Sequence, residues 1–339
     1  MAKQRYNAGI QRVKGMLELA SGLYDTSLSH QTTRAAEGVQ QTDSQLGYYL
    51  QLALLPRGKQ ENCISLSFAA DSFRELKLLA AGKVSMAWIN PSASVTLAYK
   101  GTGPLDKKIP LRAIAVFPSW DVMGFAVHES TGITSLEQIA KDRIPLNLST
   151  GPIGNRDLIE SPVTYTVTSV MKAAGFTTTD IRKWGGKIHV AVRPSHPDRR
   201  AGIKDGTINA VFDEGIKSWG QSALEKGFRY LPVEGTVLKK LRTMGYRPGV
   251  VPKSVFKGMR HDVPTIDFSG WPMVVRSDLP RQVAYALCEA IELRKKAIPT
   301  DNFKPLNMAQ LCANDAEAPF DVPLHPGAKQ FYRERGYLK

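Results

Sequence analysis

The chain has 339 residues, 42% of them hydrophobic and 22% charged, with a formal net charge of +14. That length is too great for one ordinary core and suits two domains. The basic residues are spread over the chain, and the densest groups are only pairs or triples, such as Lys107-Lys108, Arg199-Arg200 and Arg294-Lys295-Lys296, without a basic arm, an aromatic–basic signature or a zinc spacing. This speaks against a nucleic-acid partner, and no apolar run approaches the ~20 residues of a membrane span.

A net positive charge steers anions toward a protein. The first twenty residues lack the continuous apolar stretch of a secretory leader, so either a leader has been removed or the protein works in the cytoplasm. Cys63, Cys288 and Cys312 match no metal or redox spacing and read as three buried thiols. No cofactor and no metal is expected.

Ile10, Val13, Leu17 and Ala20 recur at helical spacing, which predicts an amphipathic helix over Gln4–Ser21. Thr26–Ser44 carries little hydrophobic signal and reads as loop or weak helix. Gln45–Leu55 reads as an apolar helix stopped by Pro56-Arg57-Gly58, and Asn62–Phe68 alternates like a strand. Asp71–Ala81 is a helix with Asp as its cap and Gly82 as its stop. Lys83–Ile89 is a short buried strand ending at Asn90-Pro91, and Ser92 opens a helix through Tyr99.

Leu111–Phe117 and Gly124–His128 are strands around Pro118-Ser119-Trp120. Ser135–Ala140 is a capped helix, Ile144–Leu148 a strand and Thr164–Ala174 a helix. Lys187–Val192, Ile208–Phe212 and Phe228–Pro232 follow as strands, with helices over Arg199–Lys204, Ser218–Lys226 and Thr236–Met244 between and after them. Thr265–Phe268 and Pro272–Arg276 are strands, and Arg281–Lys296 is a long helix. Alternation of this kind predicts an α/β fold of parallel sheets covered by helices.

Ligands of open α/β sheets sit beyond the carboxyl ends of the strands. Four segments lie there: Ala69 to Ser72, including Ala70, Asp71 and Ser72; Asn90, Pro91 and Ser92; Ser149, Thr150 and Gly151; and Asp213 with Glu214. The first three are rich in hydroxyl, amide or glycine, and helix N-termini add free N–H donors. The set suits an anion held mostly by neutral groups. Asp213 or Glu214 would face a ligand amine, a ligand hydroxyl or a nearby Arg. Trp120 and Trp219 are candidates for an apolar wall or for core. Arg112, Arg156 and Arg193 are candidates for a carboxylate clamp.

Three stretches carry a family resemblance. Leu76–Pro104 resembles a helix–Gly–strand–helix run. Gly202–Gly215 resembles x-x-G-x-x-D-A-x-F-x-x-G, with Asn209 where an Asp is usual. His325–Gly336, HPGAKQFYRERG, resembles the ending H-P-G-A-x-x-Y-x-E-x-G. These are similar to the TAXI family of TRAP-transporter solute-binding subunits. The resemblance implies two α/β lobes with a ligand cleft between them, of the type II periplasmic binding-protein kind. Lobe 1 would comprise 1–120 plus 240–339 and lobe 2 would comprise 121–239. It also implies a periplasmic receptor that passes a small organic acid to membrane transporter subunits. The family's T-G-x-x-G-x-Y-Y loop is not recognisable here, and its T-G-G-S loop keeps only Ser72.

Two other readings stand beside the receptor. One is an enzyme on the same scaffold, decarboxylase-like and acting on an aromatic or keto acid, with His189, Asp213 and Glu214 supplying acid–base chemistry. Against it, the sequence has no H-E-x-x-H, G-x-S-x-G or phosphate-loop motif. The other is a cytoplasmic ligand sensor.

Overall fold

The computed structural model describes residues 8–26, 32–41, 48–56, 64–67, 73–105, 107–152, 161–300 and 305–339. In chain order the first elements are α1 (Ala8–Tyr24), β1 (Thr32–Gln41), β2 (Tyr48–Pro56), β3 (Ile64–Ser67), α2 (Phe73–Ala80), β4 (Met86–Trp88), α3 (Ser92–Lys100) and β5 (Leu111–Phe117). There follow β6 (Gly124–His128), α4 (Leu136–Lys141), β7 (Asn147–Thr150), α5 (Pro162–Ala173), α6 (Thr178–Lys183), β8 (Lys187–Val190), α7 (Pro197–Asp205) and β9 (Ala210–Asp213). The remainder are α8 (Gly220–Leu224), β10 (Phe228–Tyr230), α9 (Gly235–Met244), β11 (Pro248–Val251), β12 (Val263–Ile266), β13 (Trp271–Arg276), α10 (Arg281–Arg294) and α11 (Pro326–Glu334). The fold class is mixed α/β.

The chain forms two units, one from Met1–Trp120 with Ser269–Lys339 and the other from Asp121–Phe268. Residues 240–268, which the sequence reading gives to the first lobe, fall in the second unit. The bonding explains why. Val233 N–H donates to Pro264 O at 2.9 Å and Met123 N–H to Ile266 O at 3.0 Å, so β12 is held by the second unit's own backbone. Thr265 Oγ1 adds a buried bond to Met123 O at 2.6 Å.

In the first unit β13 lies between β4 and β5 and runs antiparallel to both. β4 and β5 therefore run parallel to each other, joined through α3. The expectation of purely parallel sheets is corrected here, because the central strand enters from the far end of the sequence with the opposite direction. Ser92 to Ala98 of α3 are all buried. The small side chains of this stretch allow close packing on every side. The core joins Leu19 and Leu23 of α1 to Val283, Leu287 and Ile291 of α10, Phe331 of α11 and Ile114 of β5. Arg294 Nε bonds Glu18 Oε2 at 3.0 Å and fastens α10 to α1.

A second sheet in this unit has the order β1-β2-β3, antiparallel throughout. It replaces two expectations, the apolar helix at Gln45–Leu55 and the loop or weak helix at Thr26–Ser44.

In the second unit the sheet order is β10-β6-β9-β7-β8. β7 is parallel to β8 and β9, whereas β6 is antiparallel to β9 and β10. This sheet too is mixed. Phe125 and Phe212 meet edge-on at 5.3 Å between ring centres across the β6–β9 pair. Ser135 caps α4 by accepting Gln138 N–H, and Thr177 and Asp180 form a reciprocal capping box on α6.

Candidate functional site

In the first unit, the candidate residues stand where β4 gives way to α3. The Asn90–Pro91 peptide is cis. Asn90 Nδ2 donates to Gly270 O at 3.3 Å, so its amide bridges to the turn before β13. Pro91 is the N-cap of α3 and provides no side-chain cap. Ser92 N–H donates to Ser269 O at 3.1 Å. The Ser92 side chain is buried, and its Oγ finds no hydrogen-bond partner among the described residues. Gly270 has φ +82, and a Cβ there would lie 2.3 Å from Ser92 Oγ. Trp120 is partly buried at the end of this unit's first segment.

In the second unit, β7 ends at Ser149 and Thr150. Both are buried, and strand alternation sends their side chains to opposite faces. Ser149 Oγ accepts Arg199 Nε–H at 3.0 Å. The Arg199 guanidinium also donates to Pro194 O at 3.1 Å and forms an ion pair with Asp213. Asp213 Oδ1 accepts Glu214 N–H at 2.8 Å. Burial pushes the Asp213 carboxyl upward, and the Arg199 charge pulls against it. The arginine that Asp213 or Glu214 was expected to face is therefore Arg199, and the pair is interior.

Thr150 Oγ1 has no partner among the described residues. Gly151 lies against the start of α5, where a Cβ would meet Val163 at 3.6 Å and Thr164 Oγ1 at 3.8 Å. Ser161 is the N-cap of α5 and, like Pro91 on α3, makes no side-chain cap bond. Thr164 Oγ1 donates to Pro152 O at 2.6 Å and ties the loop back onto the helix.

Glu214 lies beside Asp121, whose carboxyl hydrogen-bonds to it. Asp121 also accepts Val122 N–H at 2.8 Å and Gly215 N–H at 3.1 Å. Burial pushes the Asp121 carboxyl up to about 6, against the pull of Glu214, these amides and Lys217. Trp219 is core, with its Nε1–H on Glu214 O at 3.0 Å and its ring 5.8 Å from that of Tyr230.

His189 is directly opposite Ser149 in the β7–β8 register, and its Nε2 is buried without a partner among the described residues. A pocket of about 370 Å³ opens beside it, between β8 and α7, and Ser149, Asp198, Arg199 and Asp205 contribute to its wall. Arg112 Nη1 is turned to Leu111 O at 2.8 Å, and Arg193 is exposed. Ala70, Asp71, Ser72 and Arg156 lie outside the described residues. Among the described residues no three His, Cys, Asp or Glu side chains are grouped to hold a metal ion. None of the described helices is long and apolar enough to cross a membrane.

The profile of the NMT1-like family matches residues 50–336. Among solved structures, one described as a periplasmic transporter is 13% identical, with 74% of each chain covered and a TM-score of 0.32. An ABC-transporter periplasmic binding protein from Brucella ovis with glutathione bound is 12% identical with a TM-score of 0.30. That match covers 64% of this chain and 50% of the other, so the chain spans half the length of that relative. The L-cystine solute receptor of Neisseria gonorrhoeae, unliganded and open, is 10% identical with a TM-score of 0.25, covering 66% of this chain and 67% of that one.

Proposed function

The chain belongs to the NMT1-like family, and from that premise we propose that it is a periplasmic solute-binding protein that captures a small organic anion, a carboxylate, for the membrane subunits of a TRAP-type transporter. The ligand-binding residues in this reading are Asn90, Pro91, Ser92 and Trp120 of the first unit. In the second unit they are Ser149, Thr150, Gly151, Asp213 and Glu214, and Ala70, Asp71 and Ser72 are named with those of the first. Within the second unit Arg199 fixes Ser149 and Asp213, so these two act as supports and Thr150 is the hydroxyl left to meet a solute.

One observation carries the reading. Ser92 Oγ and Thr150 Oγ1 are buried hydroxyls without partners among the described residues, and each stands at a strand–helix junction. A buried, unsatisfied hydroxyl costs ~1–3 kcal/mol. Such groups persist where a ligand supplies the missing bond. The neighbouring helices α3 and α5 both begin without a side-chain cap. The positive end of the helix dipole at each start favours a carboxylate. The net charge of +14 draws anions from a distance.

A thermal-shift screen with small mono- and dicarboxylates tests this. A true ligand at about 100 times its Kd adds ~2.7 kcal/mol of stability. Asn90→Ala combined with Thr150→Val should lower the affinity for that acid at least tenfold. A screen without hits, or an affinity that the double variant leaves unchanged, overturns the proposal. Incubating the hit with the protein and assaying for product separates capture from turnover.

A further inference from the structure

Near the end of the chain, Pro323 to His325 run along the outer edge of β5. Ala113 N–H donates to Pro323 O at 2.9 Å and His325 N–H to Ala113 O at 2.8 Å, around the parallel Ala113–Leu324 bridge. His325 then turns the chain into α11 as its N-cap. Its imidazole is buried and uses both nitrogens. Nδ1 accepts Gly327 N–H at 3.1 Å, and Nε2 stands 3.0 Å from Leu279 O, in the turn before α10. Gly327 completes the junction. A Cβ there would lie 2.1 Å from Arg281 O, so the first turn of α11 is seated directly on the start of α10.

These partners fix the proton. A carbonyl oxygen only accepts, so Nε2 carries the hydrogen, and an amide N–H only donates, so Nδ1 is bare. The ring is the neutral Nε2–H tautomer. A second proton would have to enter at Nδ1, where it meets the Gly327 N–H donor to donor, and the cap of α11 is lost. The new positive charge would also stand at the unfavourable end of the helix dipole. Only the bond from Nε2–H to Leu279 O gains from that charge. The charged groups acting on the ring are cations, Arg112 of β5 and Arg281 of α10. Lys329 lies one turn along α11. Asp278, next to Leu279, is paired with Arg276. Glu334, at the far end of α11, accepts Tyr285 Oη–H at 2.9 Å and Gln330 Nε2–H at 2.7 Å. Burial, and then Arg112 and Arg281, hold His325 below its ordinary 6.5.

We propose that His325 is an acid-released latch: neutral, it fastens the start of α11 to the edge of β5 and to the turn before α10, and protonated, it lets that first helical turn go. A histidine depressed in the folded state contributes its full stabilisation above 6.5. That contribution is lost as the pH falls through the folded value. The latch is therefore shut at neutral pH and opens in acid. Ala328, Phe331 and Tyr332 remain in the core shared with α10, so the helix start opens before the helix as a whole. The latch needs no solute and stands independently of the proposed function.

Long-range ¹H–¹⁵N spectra of the full chain labelled with ¹⁵N-histidine read the ring directly. The His325 signal is assigned by its loss in His325→Asn or by cross-relaxation with Gly327 N–H. It should show the Nε2–H tautomer at pH 7.5 and titrate with a midpoint below 6.5. Hydrogen exchange read by mass spectrometry and corrected for the intrinsic rate then follows the helix. Protection over residues 326–334 should fall roughly threefold or more between pH 7.5 and pH 5, while α5 keeps its protection. Asn accepts Gly327 N–H at every pH and does not titrate, so His325→Asn should abolish the fall. Should that variant fail to fold, the titration and exchange of the unaltered chain decide. An Nδ1–H tautomer, a midpoint at or above 6.5, equal protection at both pH values, or a fall that persists in folded His325→Asn overturns the latch.

Discussion

Arg199 and Asp213 form an ion pair inside the second unit, with side chains 0% and 3% exposed, and the same guanidinium holds Ser149 Oγ and Pro194 O. One side chain of α7 thus fixes the ends of β7 and β9 and the loop before its own helix. A buried pair is seldom a large net source of stability, but its dismemberment is costly because a lone charge remains.

Arg199→Met should therefore destabilise the protein by ~3–5 kcal/mol. Restoring balance with Asp213→Leu in the same chain should recover a substantial part of that loss. Urea unfolding of the single and double variants measures both numbers. A double variant no more stable than Arg199→Met would show that the pair acts through something other than charge compensation.

The orphaned hydroxyl of Thr150 gives the opposite expectation. Thr150→Val keeps the shape and removes the unsatisfied group, so the solute-free protein should be unchanged or more stable by about 1 kcal/mol. The stabilisation conferred by a carboxylate ligand should fall at the same time. Denaturant curves with and without the acid separate the two effects. Loss of stability in the solute-free protein would mean that the hydroxyl has a structural partner.

Gly270 and Gly206 share φ +82 but differ in surroundings: a Cβ at Gly206 meets nothing within 4 Å, whereas one at Gly270 strikes Ser92 Oγ. Gly206→Ala should cost only the left-handed backbone penalty, ~1–2 kcal/mol. Gly270→Ala adds displacement of Ser92 and should cost on the order of 3 kcal/mol. Equal losses in thermal unfolding would count against the tight contact.

Cys288 and Cys312 are buried free thiols. Burial pushes Cys312 up to about 11 and Cys288 far above the ordinary thiol range. Little thiolate forms at pH 8, so neither should be alkylated by iodoacetamide until the protein unfolds. Peptide mapping after timed labelling reads each site separately, and rapid native modification of either peptide contradicts the burial.

Much of this was legible where apolar runs meet clear punctuation. Leu111–Phe117 and Gly124–His128 match β5 and β6 residue for residue, because Pro110, Pro118 and Gly124 punctuate stretches that are mainly apolar. β2 reads as a helix from its sequence and is a strand. Tyr48-Tyr49-Leu50-Gln51-Leu52-Ala53-Leu54-Leu55 has no decisive period, and its strand character comes from pairing with β1. That partner was hidden too, since TTRAAEGVQQ has little apolar signal. α6 is six residues long and only the Thr177/Asp180 capping spacing marks it in the sequence, and β11 is a four-residue strand defined by its pairing with β12.

The strand-end rule points to Asn90–Ser92 and Ser149–Gly151, and β4 ends at Trp88 and β7 at Thr150. Local pattern could not tell a supporting residue from a free one. Arg199 sits in PDRRAGIKD, which reads as a solvated helix, yet it is wholly buried. Its signal lay elsewhere, in Asp213 closing the apolar run Ala210-Val211-Phe212: a carboxylate at a buried strand end needs a cation.

The order of synthesis gives the place of β13 a further meaning. The middle strand of the β4-β13-β5 sheet is the last of the three to leave the ribosome, after all of residues 121–268. Until then the edges of β4 and β5 that it will cover have no mate, while the contiguous second unit has everything it needs to fold. Nascent chains halted before Trp271 should therefore expose those edges, and a holdase chaperone would find its binding site in the first unit at that stage.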